Sequence, residues 1–303
     1  MRTTTSNTKA QLVRTVLISV SLILPDVTSA SSSATVCQQP GPESRISVAY
    51  YDHEQSRLGT SGGTSDLENF STDLLYNTTD KWAYGFGHRT TILNVEGLDL
   101  QTNGYLHTFF FPVHKVRKSG TGTFRFSIAP ALSGSSNIVK DPDEYSTDAL
   151  QLLAALTWER RLNDRWVLNY GICGDHRFGN YQVYPAVSAN WQPHPSWSID
   201  FGFPRSRLAF QVSKSLKSVL AIEPNGNKWY VKDKSLLTYS KLLYEAYLLE
   251  WALNWRAHEH FELTASIGRE FDRHYELALL DEGVVRLTGD ASTRIGIGLA
   301  WIF

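Results

Sequence analysis

The fold is decided by the stretch Arg294–Phe303, which reads Arg-Ile-Gly-Ile-Gly-Leu-Ala-Trp-Ile-Phe. Large apolar side chains occupy every second position from Ile295 onward, and the positions between them are mostly small. Successive side chains of a β-strand point to opposite faces, so this period of two predicts a strand with one bulky apolar face. The stretch therefore favours an all-β chain.

The same alternation recurs along the chain, in 82–88, 123–130, 166–173, 197–203 and 247–256. We predict fourteen antiparallel strands, at 45–53, 69–78, 81–93, 103–113, 121–131, 147–159, 165–174, 181–191, 197–203, 207–214, 217–223, 241–256, 261–271 and 291–303. Fourteen is an even number, as closure with both chain ends on one side requires. Merging two of the short strands between 197 and 223 would give twelve.

Composition and hydropathy favour a membrane barrel over a soluble sandwich. The chain is 12% aromatic and 19% charged, whereas soluble domains average about 25% charged residues. After residue 30 no run of 18 apolar residues occurs, so no transmembrane helix is predicted. Bulky rings opposite small residues suit a lipid-facing surface better than an interdigitated sandwich core. We therefore predict a single closed antiparallel transmembrane β-barrel over 45–303.

Most tryptophans lie beside predicted short connections or the C-terminus. The short connections are 77–80, 160–164, 192–196 and 257–260, and the longer ones are 54–68, 132–146, 224–240 and 272–290. Outer-membrane barrels have short periplasmic turns, longer outer loops and aromatic girdles at the interfaces. The predicted periplasmic girdle consists of Trp82, Trp158, Trp166, Trp191, Trp197, Trp255 and Trp301.

The N-terminus has the layout of an export signal. A positive, polar segment precedes the apolar run 15–24, and small residues at Thr28–Ala30 follow a Pro-Asp break. This order of segments is typical of a secretory signal peptide, here assigned to 1–30. Residues 31–44 are rich in Ser, Gln and Pro and are predicted to be a flexible periplasmic segment.

The last strand resembles the C-terminal assembly signal of bacterial outer-membrane proteins, in which apolar residues alternate up to a final Phe. The residues that carry this resemblance are Ile295, Ile297, Leu299, Trp301 and Phe303. It implies insertion by the barrel-assembly machinery into the outer membrane of a Gram-negative bacterium. The stretch Trp197–Ser206 also looks like an uncharacterised family of predicted outer-membrane barrels, and that likeness supplies no function.

If the aromatic residues face lipid, the opposite positions line the lumen. The charged residues predicted there are Arg125, Glu159, Asp200, Glu250, Arg256, Glu262, Glu270 and Arg294. Two cross-strand pairs are expected, Arg256 with Glu262 and Glu159 with Arg165. These charges indicate either a salt-bridged interior that fixes the shape or a constriction that selects small solutes.

Few residues indicate further chemistry. Cys37 and Cys173 either pair in an oxidising compartment or remain two separate thiols. Three histidine-containing groups are candidates for acid, base or nucleophile chemistry, namely His107 with Thr108, Asp175 with His176 in an outward loop, and His258 with His260 in a turn. No known nucleophile or metal-site motif accompanies them, so no catalytic residue, metal or cofactor is predicted.

Three functions remain open. The leading one is a passive, porin-like channel for small solutes in the outer membrane. The second is an envelope barrel that conducts nothing because side chains and the 31–44 segment fill its lumen. The last is a membrane-embedded hydrolase. The expected partners are outer-membrane lipid, the assembly machinery and small solutes, and the net charge of -1 gives no indication of nucleic-acid binding.

Overall fold

The protein is a closed antiparallel β-barrel in a computed structural model. The structure describes residues 36–37, 43–59, 62–96, 104–120, 122–140, 146–233, 238–279 and 283–303. The predicted signal peptide, 1–30, lies outside these residues. The hydrogen-bonded segments are β1 (Arg45–His53), β2 (Ser56–Leu58), β3 (Gly63–Asn77), β4 (Trp82–Glu96), β5 (Gly104–Phe110), β6 (Val113–Ser119), β7 (Gly122–Ser135), β8 (Leu150–Arg161), β9 (Trp166–Phe178), β10 (Asn180–Trp191), β11 (Trp197–Phe203), β12 (Ser206–Gln211), β13 (Leu216–Pro224), β14 (Asn227–Asp233), β15 (Thr238–His258), β16 (Phe261–Leu279), β17 (Gly283–Gly289) and β18 (Ser292–Ile302).

These segments form fourteen barrel strands within the described residues, because four strands are each interrupted once. The interrupted strands are β1 with β2, β5 with β6, β13 with β14, and β17 with β18. The barrel closes where β1 pairs with β18, with Arg45 opposite Ile302 and His53 opposite Arg294. The prediction of fourteen strands is confirmed, and the alternative of twelve is wrong.

The outer surface of the barrel is apolar, and most of the charged side chains of its strands point inward. On β18, Ile295 and Ile297 are 62% and 63% exposed, whereas the adjacent residue Arg294 is 5% exposed. The alternation follows from the pleat, which turns successive side chains to opposite surfaces of the wall. In the described part of the chain, no helix has the length and hydropathy of a membrane span.

The two ends of the barrel differ. One end, here called the short-turn end, carries the connections after β3, β8, β10, β12 and β15. The opposite end is here called the loop end. The prediction of long loops there is wrong for much of their length. Stretches within 54–68, 224–240 and 272–290 are paired strand, because their backbones continue the ladders of their neighbours. Only 132–146 retains a helical turn, α1 (Ser136–Lys140).

β14 turns into the lumen at the loop end. Its neighbour β12 begins only at Ser206, opposite Ile222, so the wall beside β14 has no partner strand at that height. β14 instead pairs with the backbone of β7 in parallel orientation, Tyr230 opposite Gly134, and the Ser133 side chain donates a hydrogen bond to the carbonyl of Lys228 at 2.7 Å.

An apolar cluster fills the lumen beside β14. It contains Leu58, Leu67, Leu93, Val95, Leu106, Trp229, Leu242, Tyr244, Ala246, Tyr275 and Leu277. These side chains come from β2, β3, β4, β5, β14, β15 and β16, so the cluster ties β14 to the opposite wall. The loop-end half of the barrel is therefore packed like the core of a soluble domain.

The strand registers test the two expected charge pairs. Arg256 does lie opposite Glu262. The pairing of Glu159 with Arg165 is wrong, because Glu159 lies opposite Asn169 and the hairpin turn is displaced toward Arg165. Glu159 instead pairs diagonally with Arg125 on β7, at 2.8 Å.

Candidate functional site: the barrel interior

A polar cavity of about 250 Å³ lies inside the barrel between β7 and β13. Three of the sequence-predicted charges, Arg125, Glu159 and Asp200, line it. It extends from Gln192, beside a short turn, to Arg177 near the middle of the barrel. Inward residues of seven neighbouring strands, β7 to β13, form this wall, because every second residue of a strand points to the same face.

Basic side chains predominate in the cavity lining. The charged residues are Arg125, Arg177, Arg205, Arg207 and Lys217 on the basic side and Glu159 and Asp200 on the acidic side. Amides and hydroxyls of Asn169, Asn190, Ser188, Ser198, Gln192 and Gln211 fill the spaces between them. Arg177, Arg205, Arg207 and Lys217 were not among the lumen residues predicted from the sequence. Strand parity would have found Arg177, extended from Cys173 on β9, and Lys217, extended from Val219 on β13.

A charged cluster closes the cavity toward the loop end. Arg177 donates to Asp175 through Nε at 2.8 Å and to the Tyr184 hydroxyl through Nη2 at 2.8 Å. Glu223 lies 3.9 Å from Arg177 Nη1 and 3.6 Å from Arg205 Nε. Because β9 continues to Phe178, the expectation that Asp175 and His176 occupy an outward loop is wrong.

A disulfide holds Val36 and Cys37 inside the barrel; of the predicted flexible segment 31–44, residues 31–35 and 38–42 lie outside the described residues. Cys37 and Cys173 are bonded, with their Cα atoms 5.7 Å apart, a normal separation for a disulfide. Val36 is buried in one cluster with Phe178 and Tyr184. The question that the sequence left open is thus answered in favour of pairing. Both sulfurs lie near Asp175, but while they are joined neither offers a thiolate to a metal.

Glu270 lies at the centre of a second, fully buried network. Its carboxylate lies 3.2 Å from His53 Nδ1 and 3.8 Å from Arg273 Nε, and it accepts hydrogen bonds from Tyr244 and Asn225. Arg273 also bonds the hydroxyl of Tyr275. A buried carboxylate needs this many donors, because its desolvation is otherwise uncompensated.

The side chains of the remaining predicted charged residues also lie on the inner side of the barrel. Arg294 donates to Glu250, and its guanidinium lies 4.4 Å from the ring centre of Tyr51. Glu262 is buried. Arg256 binds Glu43 of the N-terminal segment at 2.7 Å. The segment therefore has a second attachment besides the disulfide.

The seven tryptophans of the proposed girdle all lie at strand ends beside short turns, and none is buried. Trp166 and Trp191 face each other across β9 and β10 with stacked rings 5.6 Å apart. Lys115 Nζ lies 4.3 Å above the ring of Trp82. The assembly-signal residues Ile295, Ile297, Leu299, Trp301 and Phe303 are exposed.

The histidine candidates separate in the structure. Thr108 points inward and bonds Ser133, whereas His107 points outward, so the two do not act together. His176 is buried against the carbonyl of Gly179. His258 and His260 are exposed in the β15–β16 turn, and His260 bonds the carbonyl of Ile302.

Comparisons with known proteins place the chain in a family. No curated protein matches it significantly. Among solved structures, it is similar to the COG4313 outer membrane channel from Pseudomonas putida F1 (10% identity, 88% of this chain and 100% of that chain, TM-score 0.47). It is also similar to the Pseudomonas putida toluene transporter TodX (12%, 90% and 92%, 0.38) and to the KdgM porin (10%, 85% and 99%, 0.34). A family model described as "Domain of unknown function (DUF6268)" matches residues 123–279. Because this match spans more than half of the chain, the protein belongs to the DUF6268 family.

Proposed function

We propose that this protein is an outer-membrane barrel of the porin type, which admits small solutes and is closed at rest by its N-terminal segment. The observation that carries the proposal is the polar, charged cavity inside a barrel whose outer surface is apolar. A closed barrel leaves no unpaired strand edge, so its backbone can cross hydrocarbon. The exposed tryptophans at the short-turn end support the membrane position, as an interfacial girdle.

Small anions are the solutes that the lining favours. Five basic and two acidic side chains line the cavity, and Asp175 and Glu223 beside it neutralise part of the charge of Arg177 and Arg205. The remaining excess of basic groups attracts negative charge. Amide and hydroxyl groups between them offer hydrogen bonds that replace part of a solute's hydration.

The described residues of the N-terminal segment, among them Val36, Cys37 and Glu43, support its role as the proposed plug. Its attachments are the Cys37–Cys173 disulfide and the Arg256–Glu43 ion pair. Cys37 and Val36 themselves line the cavity, so a bound segment occupies part of the path. An oxidising compartment maintains the disulfide, which fits the predicted export of the chain.

Conductance of the purified protein in planar bilayers tests this function. We expect small or absent steps for the oxidised protein, and larger, anion-selective steps after reduction or in the Cys37→Ser/Cys173→Ser double variant. Equal steps in both redox states would support the pore and contradict the plug.

A second candidate is an envelope barrel that conducts nothing. The apolar cluster around Trp229, which fills the loop-end half of the lumen, favours it. Silence of both the oxidised and the reduced protein in the bilayer experiment would select this candidate over the channel.

A further inference from the structure

The outer surface of the barrel carries a hydrogen-bonded group of polar side chains where apolar residues are expected. It comprises His88 and Thr90 on β4, His107 on β5 and Ser136 at the start of α1. Both histidines have the parity of the outward residues of their strands, because Arg89 and Thr108 point inward. A polar group that faces lipid is costly, so its presence calls for a function.

The four side chains are linked by hydrogen-bond distances, from Ser136 through His107 to His88, with Thr90 beside the two histidines. Ser136 Oγ lies 2.8 Å from His107 Nε2. On the other side of the same ring, His107 Nδ1 lies 3.2 Å from His88 Nε2. Thr90 Oγ1 lies 3.3 Å from each of these two atoms. If His107 carries its proton on Nδ1 and donates it to His88, its Nε2 has the lone pair that accepts the proton of Ser136.

The ring of His88 is held in place by packing. It stacks on Phe109 with ring centres 4.4 Å apart and planes 4° from parallel. Both histidine rings thus have one defined orientation relative to the serine. A hydroxyl nucleophile, an imidazole base and a third group that orients the base are the arrangement by which serine hydrolases are recognised, whatever the fold.

The height of the group on the barrel indicates its substrate. His88 is six residues along β4 from Trp82, and Thr90, which lies opposite His107, is eight. At about 3.3 Å per residue and a strand tilt of about 40°, they lie roughly 15–20 Å from the tryptophan ring. An apolar band about 25 Å tall ends roughly 5–10 Å beyond this level. Ser136 lies nearer that end, because its hydroxyl is 3.4 Å from the carbonyl of Tyr105, which is opposite Ile92, two residues beyond Thr90. The ester bonds of membrane lipids lie at that boundary, between acyl chains and headgroups.

We propose that Ser136, His107 and His88 form an esterase site on the lipid-facing surface, which hydrolyses acyl esters of lipids in the outer leaflet. Ser136 Oγ attacks the ester carbonyl carbon while its proton passes to His107 Nε2. The bond from that carbon to the alcohol oxygen breaks, and His107 returns the proton to the leaving alcohol. Water then attacks the acyl-serine with His107 as base, which releases a fatty acid and restores Ser136. His88 is a positioning residue.

The proposal rests on the membrane position of the proposed function and is independent of conductance. The sequence did not reveal it, because Ser136 is 29 positions from His107 and no motif joins them.

The test uses the full-length mature protein in detergent, treated with a long-chain alkyl fluorophosphonate and, separately, with dipalmitoyl phosphatidylcholine in mixed micelles. We expect peptide mass spectrometry to find the phosphonate on Ser136 and the lipid assay to find released palmitate. Ser136→Ala should abolish both. His107→Gln should lower each rate by at least about 100-fold, which is the usual contribution of a general base. His88→Gln should lower the rates less and shift their pH profile.

The matched control is Ser218→Ala. Ser218 is an outward serine on β13 that accepts a hydrogen bond from Trp251 at 2.9 Å, so its loss should leave both rates unchanged. Heat-modifiable gel migration identifies variants that fail to fold. The wild-type measurement needs no variant, and an unmodified Ser136 together with no palmitate release would overturn the proposal. Hydrolysis that persists in a folded Ser136→Ala variant would also overturn it.

Discussion

Among individual residues, the interior charged side chains differ from those on the surface because they are buried and each contacts several partners. Arg273 is 1% exposed and Glu270 is fully buried, and between them they contact His53, Tyr244 and Tyr275. Removing one member of such a group leaves a charge without its compensation in a region that water does not reach. An exposed ion pair carries no such penalty, because water replaces the lost partner.

We expect Arg273→Leu to lower the free energy of unfolding by about 3–5 kcal/mol, because the Glu270 carboxylate loses its neighbouring guanidinium. Urea-induced unfolding in phospholipid vesicles measures this. The control is Arg286→Leu, which removes the exposed ion pair with Glu276 and should cost about 1 kcal/mol or less. Similar losses for both variants would contradict the buried network.

At the scale of the element, each strand presents two surfaces with different requirements. The outward surface accepts any bulky apolar side chain, and β18 carries Ile295, Ile297, Leu299 and Trp301 at alternate positions. The inward surface is crowded, and large side chains of neighbouring strands pack against its glycines. A side chain at Gly87 would meet the ring of Phe110, and one at Gly296 would meet the ring of Tyr51. Small inward residues therefore do not by themselves indicate an open lumen.

The outward surface of β18 gives a prediction for the membrane position. Ile297 is four residues from Trp301, which places it near the middle of the proposed apolar band. We expect Ile297→Arg to destabilise the barrel by about 2–4 kcal/mol in vesicles, whereas Val284→Arg on β17, at the loop end, should cost about 0–1 kcal/mol. Unfolding titrations of both variants in the same lipid check this. Equal effects would argue against a bilayer around β18.

At the scale of the whole molecule, closure joins the two ends of the chain. β1 and β18 pair along nine residues, from Arg45 with Ile302 to His53 with Arg294. A closed, hydrogen-bonded barrel resists detergent until it is heated. We expect the unheated protein to migrate faster than the boiled protein on a denaturing gel, and to require detergent for extraction. A product that dissolves freely without detergent would contradict the membrane assignment.

The all-β class and the fourteen strands were predictable from the sequence alone. The same pattern predicted an inward position for eight charged side chains but did not include Arg177, Arg207, Lys217 or Arg273. The physical reason is local: the period of two is a property of the pleat, and it assigns each residue to a face without knowledge of its neighbours. The register of Arg256 with Glu262 was also predictable, because a tight hairpin fixes its own pairing.

The contacts that each face of a strand makes could not be predicted from the sequence and follow from the tertiary structure. Cys37 pairs with Cys173, β14 crosses to β7, and Ser136 reaches His107, each across a long stretch of chain. Such contacts depend on how closure brings distant strands together and on where a missing neighbour lets a strand turn inward. A local pattern carries no information about either, because it records the face of each residue and not the strand that lies beside it.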